Sequence, residues 1–285
     1  MPESQTVYMP MSLAGILDNF GLWVRDGVWY ALFEALSNSI QSIYLNNVES
    51  GVINLVIQRN NEMNLENAVS EINNIIITDN GVGFNELNFS NFKRGYTTSK
   101  DGCKGIGRIS FLKVFEKAVI SSVYVGEDGN KYKLEFDFST TTDLEKVTPV
   151  KISSLEPIKT QIVLTKCKQS YKKWSRKGIN DIKSMIQEHF YPMLRTVFKK
   201  SDIDIKIYDE TSSSVTINKN SFKEDLEQEE HLVISHCGIN YEFNVAHIKT
   251  KLTKQNMIHY CAGDRVVKSE QIEDLRKQPV EADFY

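Results

Sequence analysis

The chain lacks paired cysteine motifs and long hydrophobic runs. Its four cysteines, Cys103, Cys167, Cys237 and Cys261, form no C-x-x-C pair and have no histidine at zinc-ligand spacing. This scatter predicts reduced thiols and excludes a zinc ribbon. No stretch approaches the roughly 18 apolar residues of a membrane span, and no basic segment precedes an apolar block at the N-terminus. We therefore expect a soluble, cytoplasmic protein without a membrane partner.

The chain also lacks an excess of positive charge. Its 285 residues carry a formal net charge of -3, so composition gives no general case for nucleic-acid binding. A DNA-binding surface would have to be local. The hydrophobic fraction of 41% is that of an ordinary globular protein. The length fits one large domain or two.

The pattern along residues 1–170 predicts an α+β domain. Apolar residues recur at three and four residue steps over about 27–46, which predicts an amphipathic helix. Strands are predicted at 52–59 and 72–78, the second apolar enough to be buried on both faces. A glycine-rich loop, a helix over 105–115 and a hairpin around "EDGN" follow, and "KVTPVKISS" and "TQIVLTKC" add two further strands.

A second, strand-rich domain is predicted from residue 171 to 285. It opens with a helix, "INDIKSMIQEHFYPMLRTVF", that we expect to be interrupted or kinked at Pro192. Five strand-like segments follow. The last residues, "KQPVEADFY", have neither a helix stop nor a closing strand, which is typical of a longer protein cut at this point.

Glu34 and Asn38 are the first candidate site residues. They lie four residues apart on the predicted helix and therefore share one face, opposite the stripe of Leu32, Leu36 and Ile40. The neighbouring residues on that face are small, so a bound ligand could approach the carboxylate and the carboxamide closely. A solvated helix face is the better explanation of such a pair when it stands alone.

Asp79 ends a buried strand and runs into "NGVGF". Gly81 and Gly83 allow the backbone after it to turn tightly and to come near a flat ligand. The competing interpretation is an Asn-Gly hairpin turn in which Asp79 is an Asx residue.

The loop "TTSKDGCKGIGRISF" has the composition of a phosphate-binding segment. Gly102, Gly105 and Gly107 precede a helix, whose free N-H groups and positive dipole end suit an anion. Lys100 and Lys104 add positive charge on the same loop. The spacing is neither that of a P-loop nor that of a Rossmann fingerprint.

Taken in this order, the motifs "EALSN", "DNGVG" and "GCKGIG" resemble those of the GHKL superfamily, the ATPases of gyrase, heat-shock chaperones, histidine kinases and MutL. A fourth match is "KTQIVLT", where Lys159 stands in place of the usual glycine before Thr160. "GYTTSK" is most similar to the MutL, MORC and chaperone branches, and "MIHYCAGDRVV" is similar to a V-N-G-R strand of MutL, although its central residues differ.

The resemblance implies a Bergerat-type two-layer α/β sandwich over residues 1–170, followed by a smaller transducer-like domain over 171–285. It also implies ATP and Mg2+ as cofactors. Glu34 would activate the attacking water, Asn38 would bind Mg2+, and Asp79 would accept a hydrogen bond from the adenine amino group. The remaining nucleotide-binding residues would be Gly81, Gly83, Lys100, Gly102, Lys104, Gly105, Ile106, Gly107 and Thr160.

The implied activity is slow, Mg-dependent ATP hydrolysis that closes a lid at about 84–107 and drives a conformational or dimerisation switch. In the MutL and gyrase branches a lysine of the second domain reaches the γ-phosphate, and Lys251 and Lys254 lie where it would fall. Both also fit a solvated loop. A DNA-associated or defence process is compatible with this activity, and so is chaperoning.

Two alternatives of other classes remain. One is an ATP-sensing regulatory or scaffold module without significant hydrolysis, which would not need the carboxylate of Glu34. The other is a sensor kinase domain, which is disfavoured because a strand-rich segment follows the motifs. The segment "KCKQSYKKWSRK" offers Lys172, Lys173 and Arg176 as candidate DNA contacts, and it fits a solvated linker anchored by its aromatic residues as well.

Overall fold

The computed structural model describes residues 13–45, 48–60, 69–93, 107–209, 214–222, 226–249, 256–262 and 265–272. The fold is mixed α+β and is dominated by one large sheet. Its helices are α1 (Leu13–Asn19), α2 (Gly27–Leu45), α3 (Glu86–Lys93), α4 (Ile109–Val114), α5 (Gln169–Lys172) and α6 (Ile179–Phe198). None of the helices within these ranges is long and apolar enough to span a bilayer.

Eight strands form the large sheet, in the spatial order β5-β4-β3-β6-β2-β1-β7-β8. They are β1 (Ser50–Arg59), β2 (Ile72–Asp79), β3 (Phe115–Val125), β4 (Lys131–Phe138), β5 (Val150–Lys151), β6 (Lys159–Cys167), β7 (Asp202–Asp209) and β8 (Ser214–Ile217). All neighbours pair antiparallel except β1 and β7, which are parallel. The sheet is therefore mixed.

One face of the sheet forms the core. Burial alternates along β1, β6 and β7, so every second side chain is buried and the others are partly exposed. Helix α2 contacts β1 and β2, α4 contacts β3, and α6 contacts β7 and β8. The apolar stripe of α2 that contains Leu32, Leu36 and Ile40 is fully buried. Burial of these facing apolar surfaces is the main stabilising contribution of this layer.

Several elements differ from the sequence-based expectation. Strand β2 alternates between buried and partly buried residues instead of being buried on both faces. The stretch "KVTPVKISS" contributes only the two residues of β5. Helix α6 continues through Pro192 without interruption, because a proline removes a single backbone donor while Phe190, Met193 and Leu194 pack into the core on either side.

The helix predicted over 105–115 begins at Ile109 and ends at Val114 in the structure. Phe115 already belongs to β3, where it pairs with Cys167 of β6. Gly105 and Ile106 lie outside the described residues.

Strands from both sides of residue 171 share the large sheet. Strand β7 lies beside β1 over the register Ser50–Asp202 to Ile57–Asp209. At the end of this register, the Arg59 guanidinium donates to both carboxylate oxygens of Asp209, at 2.7 to 3.0 Å. It also donates to the Ser70 and Lys177 carbonyls. The domain boundary near residue 171 stays a prediction.

Two hairpins follow the large sheet. Strands β9 (Leu226–His236) and β10 (Ile239–Lys249) pair antiparallel, as do β11 (Met257–Ala262) and β12 (Arg265–Gln271). Helix α6 contacts β12, and Arg195 of α6 forms an ion pair with Glu229 of β9 at 2.5 Å. The β11–β12 hairpin is thereby placed against the helix layer.

Candidate functional site

Helix α2 presents Glu34 and Asn38 on one face, as their spacing predicts. The Asn38 side chain is exposed, and its Nδ2 lies 3.5 Å from Oε1 of Glu34. Ala31 and Ala35, the small residues beside them, are fully buried. The carboxamide oxygen of Asn38, on the side of the amide away from Glu34, is an oxygen ligand of the kind that Mg2+ prefers.

Asp79 lies at the end of β2 beneath the same helix. Ser39 Oγ donates to its Oδ2 at 2.7 Å, and the Gly81 N-H donates to its Oδ1 at 2.9 Å. Only 4% of the residue is exposed. Burial raises the pKa of this carboxyl to about 6, although the hydrogen bonds from Ser39 and Gly81 oppose the shift. Because each oxygen has a further lone pair, Asp79 can still accept a hydrogen bond from a ligand.

Ser39 also links the two ends of the candidate site. It follows Glu34 by five residues on α2, which is roughly 7.5 Å along the helix axis. Glu34 and Asp79 are thus connected through one helix, because Glu34 belongs to α2 and Asp79 accepts a hydrogen bond from Ser39 of α2. One is partly exposed and the other is buried.

The loop after Asp79 folds back onto the helix and the sheet. The Val82 N-H donates to the Ser42 carbonyl at 3.4 Å, which brings Gly81 against α2. Gly83 has φ +73°, a left-handed conformation that glycine adopts without strain. A side chain at Gly83 would also meet Ser122 and Thr160. The expected tight turn after the strand is therefore present.

Thr160 lies directly beside Asp79, because the two residues are register partners in β6 and β2. Its Oγ1 lies 2.9 Å from Oγ of Ser122, which in turn accepts a hydrogen bond from the Phe84 N-H at 3.0 Å. Both hydroxyl residues are buried. They form a small polar cluster next to Asp79 within an apolar core.

Gly107 lies against Glu34. A Cβ at this position would overlap the Glu34 carboxylate, so any larger residue would displace the end of the Glu34 side chain. The end of the predicted phosphate-binding loop and the predicted general base are thus in contact. Lys100, Gly102, Lys104, Gly105 and Ile106 lie outside the described residues, as do Lys251 and Lys254.

Two arginines flank Glu34. Arg265, the first residue of β12, donates from Nη1 to Oε2 of Glu34 at 3.1 Å. Arg108 interacts electrostatically with the same carboxylate, which opposes the lowering of the Arg108 pKa by burial. Its guanidinium also lies 4.8 Å over the Phe92 ring. The surroundings of Glu34 are therefore positively charged, which suits a site for a multiply charged anion.

The first part of the predicted lid is an ordered helix. In α3, Phe92 packs edge-on against Phe136 and Phe138, with ring centroids 5.5 and 5.1 Å apart, and it also contacts Phe84. Such aromatic pairs add to the stabilisation from burial. This contact anchors residues 84–93 to β4, and the rest of the predicted lid before Gly107 lies outside the described residues.

Only one of the two aromatic residues in the basic segment, Trp174, is exposed enough to stack on a nucleic-acid base. Tyr171 is buried against Gly27 of α2, so it anchors the segment, as the linker interpretation holds. Trp174 is 39% exposed, with Lys173 Nζ 5.1 Å from its ring centroid. Arg176 forms an ion pair with Glu71 at 3.0 Å.

Sequence reasoning missed Ser39, Ser122 and Arg265. Two sequence features could have indicated the serines. Ser39 directly follows the E-x-x-x-N motif, and Ser122 interrupts the apolar run "VISSVYV". No local signal could pair Arg265 with Glu34, since the two are 231 residues apart. Neither the protein-family models nor the curated proteins compared with the sequence match this chain.

Proposed function

We propose that the protein binds ATP with Mg2+ and hydrolyses it slowly, in the manner of the GHKL ATPases. The observation that carries this proposal is the convergence of three separate sequence motifs. Glu34 of α2 touches Gly107, and Asp79 is hydrogen-bonded to Ser39 of the same helix. The large mixed sheet with helices against one face supports a Bergerat-type sandwich as the scaffold.

The adenine ring would bind beside Asp79. Its amino group would donate to the carboxylate, while Thr160 and Ser122 offer hydroxyls nearby. Because burial opposes ionisation of Asp79, a donor supplied by the ligand offsets part of that cost. This dependence on a ring donor would give the site its preference for adenine.

The phosphates would bind beside Glu34 and Gly107. Glu34 would take a proton from water while the water oxygen bonds to the γ-phosphorus and the bond to the β,γ-bridging oxygen breaks, which leaves ADP and inorganic phosphate. Asn38 would hold Mg2+, and the ion would neutralise phosphate charge. Gly107 and the loop from Gly102 would donate backbone N-H groups.

Closure of the part of the predicted 84–107 lid that follows the anchored helix α3, a transducer-like second domain and ATP-dependent dimerisation belong to this proposal. So does a role in a DNA-associated or defence process, with a cytoplasmic location. A second candidate is an ATP-sensing module without significant hydrolysis. The observation in favour of this second candidate is that Arg265 occupies Oε2 of Glu34, so that only Oε1 is left to activate water.

Substitution of Glu34 separates the two candidates. We expect Glu34→Gln to bind ATP with near-parental affinity in calorimetry and to lose most of its turnover, roughly 100-fold or more, because general-base catalysis contributes about that much. Phosphate release measures the turnover. The amide keeps the shape of the side chain and its hydrogen bond to Arg265, so folding should be preserved.

Glu49→Gln is the matched control, since Glu49 is an exposed carboxylate outside the site. It should hydrolyse ATP like the parent. If the parent binds ATP but the parent and Glu34→Gln share the same negligible turnover, the sensing module is the correct function. Absence of ATP and ADP binding by the parent would refute both candidates.

A further inference from the structure

Arg265 connects the β11–β12 hairpin to the α2 helix. Its Nη1 lies 3.1 Å from Oε2 of Glu34, a residue 231 positions earlier in the chain. The two side chains are 26% and 19% exposed. A partly buried pair is screened less than a fully exposed ion pair, so it can restrain both partners.

Contacts on both oxygens restrict the orientation of the Glu34 carboxylate. Arg265 contacts Oε2, Asn38 Nδ2 faces Oε1, and the Gly107 backbone packs against the carboxyl group itself. Asn38 belongs to the same helix as Glu34, and Gly107 directs no hydrogen-bonding side chain at it. Arg265 thus ties the carboxylate to the β11–β12 hairpin by a hydrogen bond, and Arg108 adds an electrostatic interaction from the residue before α4.

His189, a residue close to the Arg265 guanidinium, does not interfere with the ion pair between Arg265 and Glu34. His189 of α6 stacks on Phe33, the residue that precedes Glu34, with ring centroids 4.1 Å apart. Burial and the nearby charge of Arg265 lower the pKa of His189 to about 4, so this imidazole is neutral at pH 7. A neutral imidazole carries no charge that would compete with the guanidinium for the carboxylate. On the neighbouring strand, His259 Nε2 lies 3.8 Å from Oε1 of Glu188, so β11 lies near the same helix.

The geometry points to Arg265 as a positioning residue for Glu34, through which ATP hydrolysis depends on the placement of the β11–β12 hairpin. This inference rests on the proposed ATPase function and adds a residue to it. Arg265 acts through Glu34: the ion pair fixes the direction in which Oε1 faces the attacking water. A hairpin that shifts on α6 would therefore change turnover without touching the adenine pocket.

Steady-state kinetics of Arg265 variants test the inference. We expect Arg265→Ala to lower kcat roughly 10- to 100-fold with KM changed less than about twofold, because a misplaced catalytic group loses rate and not substrate binding. Arg265→Lys should recover part of kcat, since an ammonium retains the charge but not the planar geometry. Lys268→Ala, on the same strand with its ammonium bound to Glu270, should keep parental kcat and KM.

A double substitution distinguishes positioning from a general structural effect. In a Glu34→Gln background, Arg265→Ala should cause no further loss of kcat, because the group that it positions is already gone. Unchanged kcat in Arg265→Ala, a change confined to KM, or an equal additional loss in the Glu34→Gln background would each overturn the inference. A parent without ATP hydrolysis would remove the proposed enzyme and this inference together, whereas a hydrolysing parent with an indifferent Arg265→Ala variant removes the inference alone.

Discussion

At the scale of single residues, Asp79 shows a conflict between stability and binding. Its ordinary pKa of 3.8 rises to about 6 in the folded protein, chiefly through burial. The folded state therefore binds this proton more tightly than the unfolded state. The corresponding stability is fully present below pH 3.8 and is lost as the pH rises through about 6. At pH 7 the ionised carboxylate costs roughly 3 kcal/mol of unfolding free energy, which a ligand donor could partly recover.

Asp79→Asn should remove both the stability cost of the ionised carboxylate and the acceptor for the adenine amino group. Relative to the parent, we expect the variant to gain stability between pH 4 and pH 7, by up to roughly 3 kcal/mol, because it has no carboxyl to ionise. It should also lose adenine-nucleotide binding. Urea unfolding at several pH values and titration with ADP measure the two effects. Asp18→Asn, an exposed substitution, serves as the control. Parallel pH profiles for Asp79→Asn and the parent, or unchanged ADP affinity, would contradict the assignment.

At the scale of secondary-structure elements, local sequence patterns predicted the single helices and strands but not how they pair. The periodicity of residues 27–46 predicted α2, which spans Gly27–Leu45, and the apolar run before "DNGVG" predicted a strand that ends at Asp79. The glycine of "DNGVG" with positive φ was also foreseeable. Pairing between distant segments was not, because nothing in "VINLVIQR" specifies a parallel neighbour at Asp202–Asp209. Contacts such as Arg265 with Glu34 depend on that tertiary arrangement.

The buried ion pair between Arg59 of β1 and Asp209 of β7 should affect stability most when only one of the two partners is removed. Arg59 and Asp209 have side chains that are each 5% exposed. We expect Arg59→Met to lower the free energy of unfolding by roughly 3–5 kcal/mol, since it leaves a buried carboxylate without its partner. The double variant Arg59→Met, Asp209→Leu should lose less, because it removes that charge as well. Urea denaturation provides the measurement.

The half-exposed pair of Lys117 and Asp137 offers a comparison for this ion pair. Its removal by Lys117→Met should cost about 1 kcal/mol or less. A double variant at 59 and 209 that is less stable than Arg59→Met would show that the pair is not the source of the effect.

At the scale of the whole molecule, positive charge is local, as a formal net charge of -3 requires. Lys173 and Arg176 are exposed on the segment between β6 and α6, and Arg25 adds its guanidinium 5.8 Å from the Trp174 ring centroid. The anchoring of Tyr171 in the core fixes this segment on the surface beside α2. The patch is thus attached to the helix that carries Glu34.

If this patch binds DNA, substitution of Lys172, Lys173 and Arg176 by glutamine should weaken binding and reduce its salt dependence by about one unit of logarithmic slope for each lost phosphate contact. Fluorescence anisotropy at several salt concentrations measures both quantities. Lys131→Gln, Lys133→Gln and Lys151→Gln, on β4 and β5, together make a control variant that loses the same three positive charges. A parent protein without measurable DNA affinity would end the idea.

The parallel placement of β7 next to β1 has a consequence for the newly made chain. Arg59 leaves the ribosome 150 residues before Asp209 does, which at ordinary rates of translation is a delay of roughly 8 to 30 s. Throughout that interval β1, with its apolar residues Ile53, Leu55 and Ile57, has an open hydrogen-bonding edge. The nascent protein must therefore keep this edge from joining other polypeptides until its own late strand arrives.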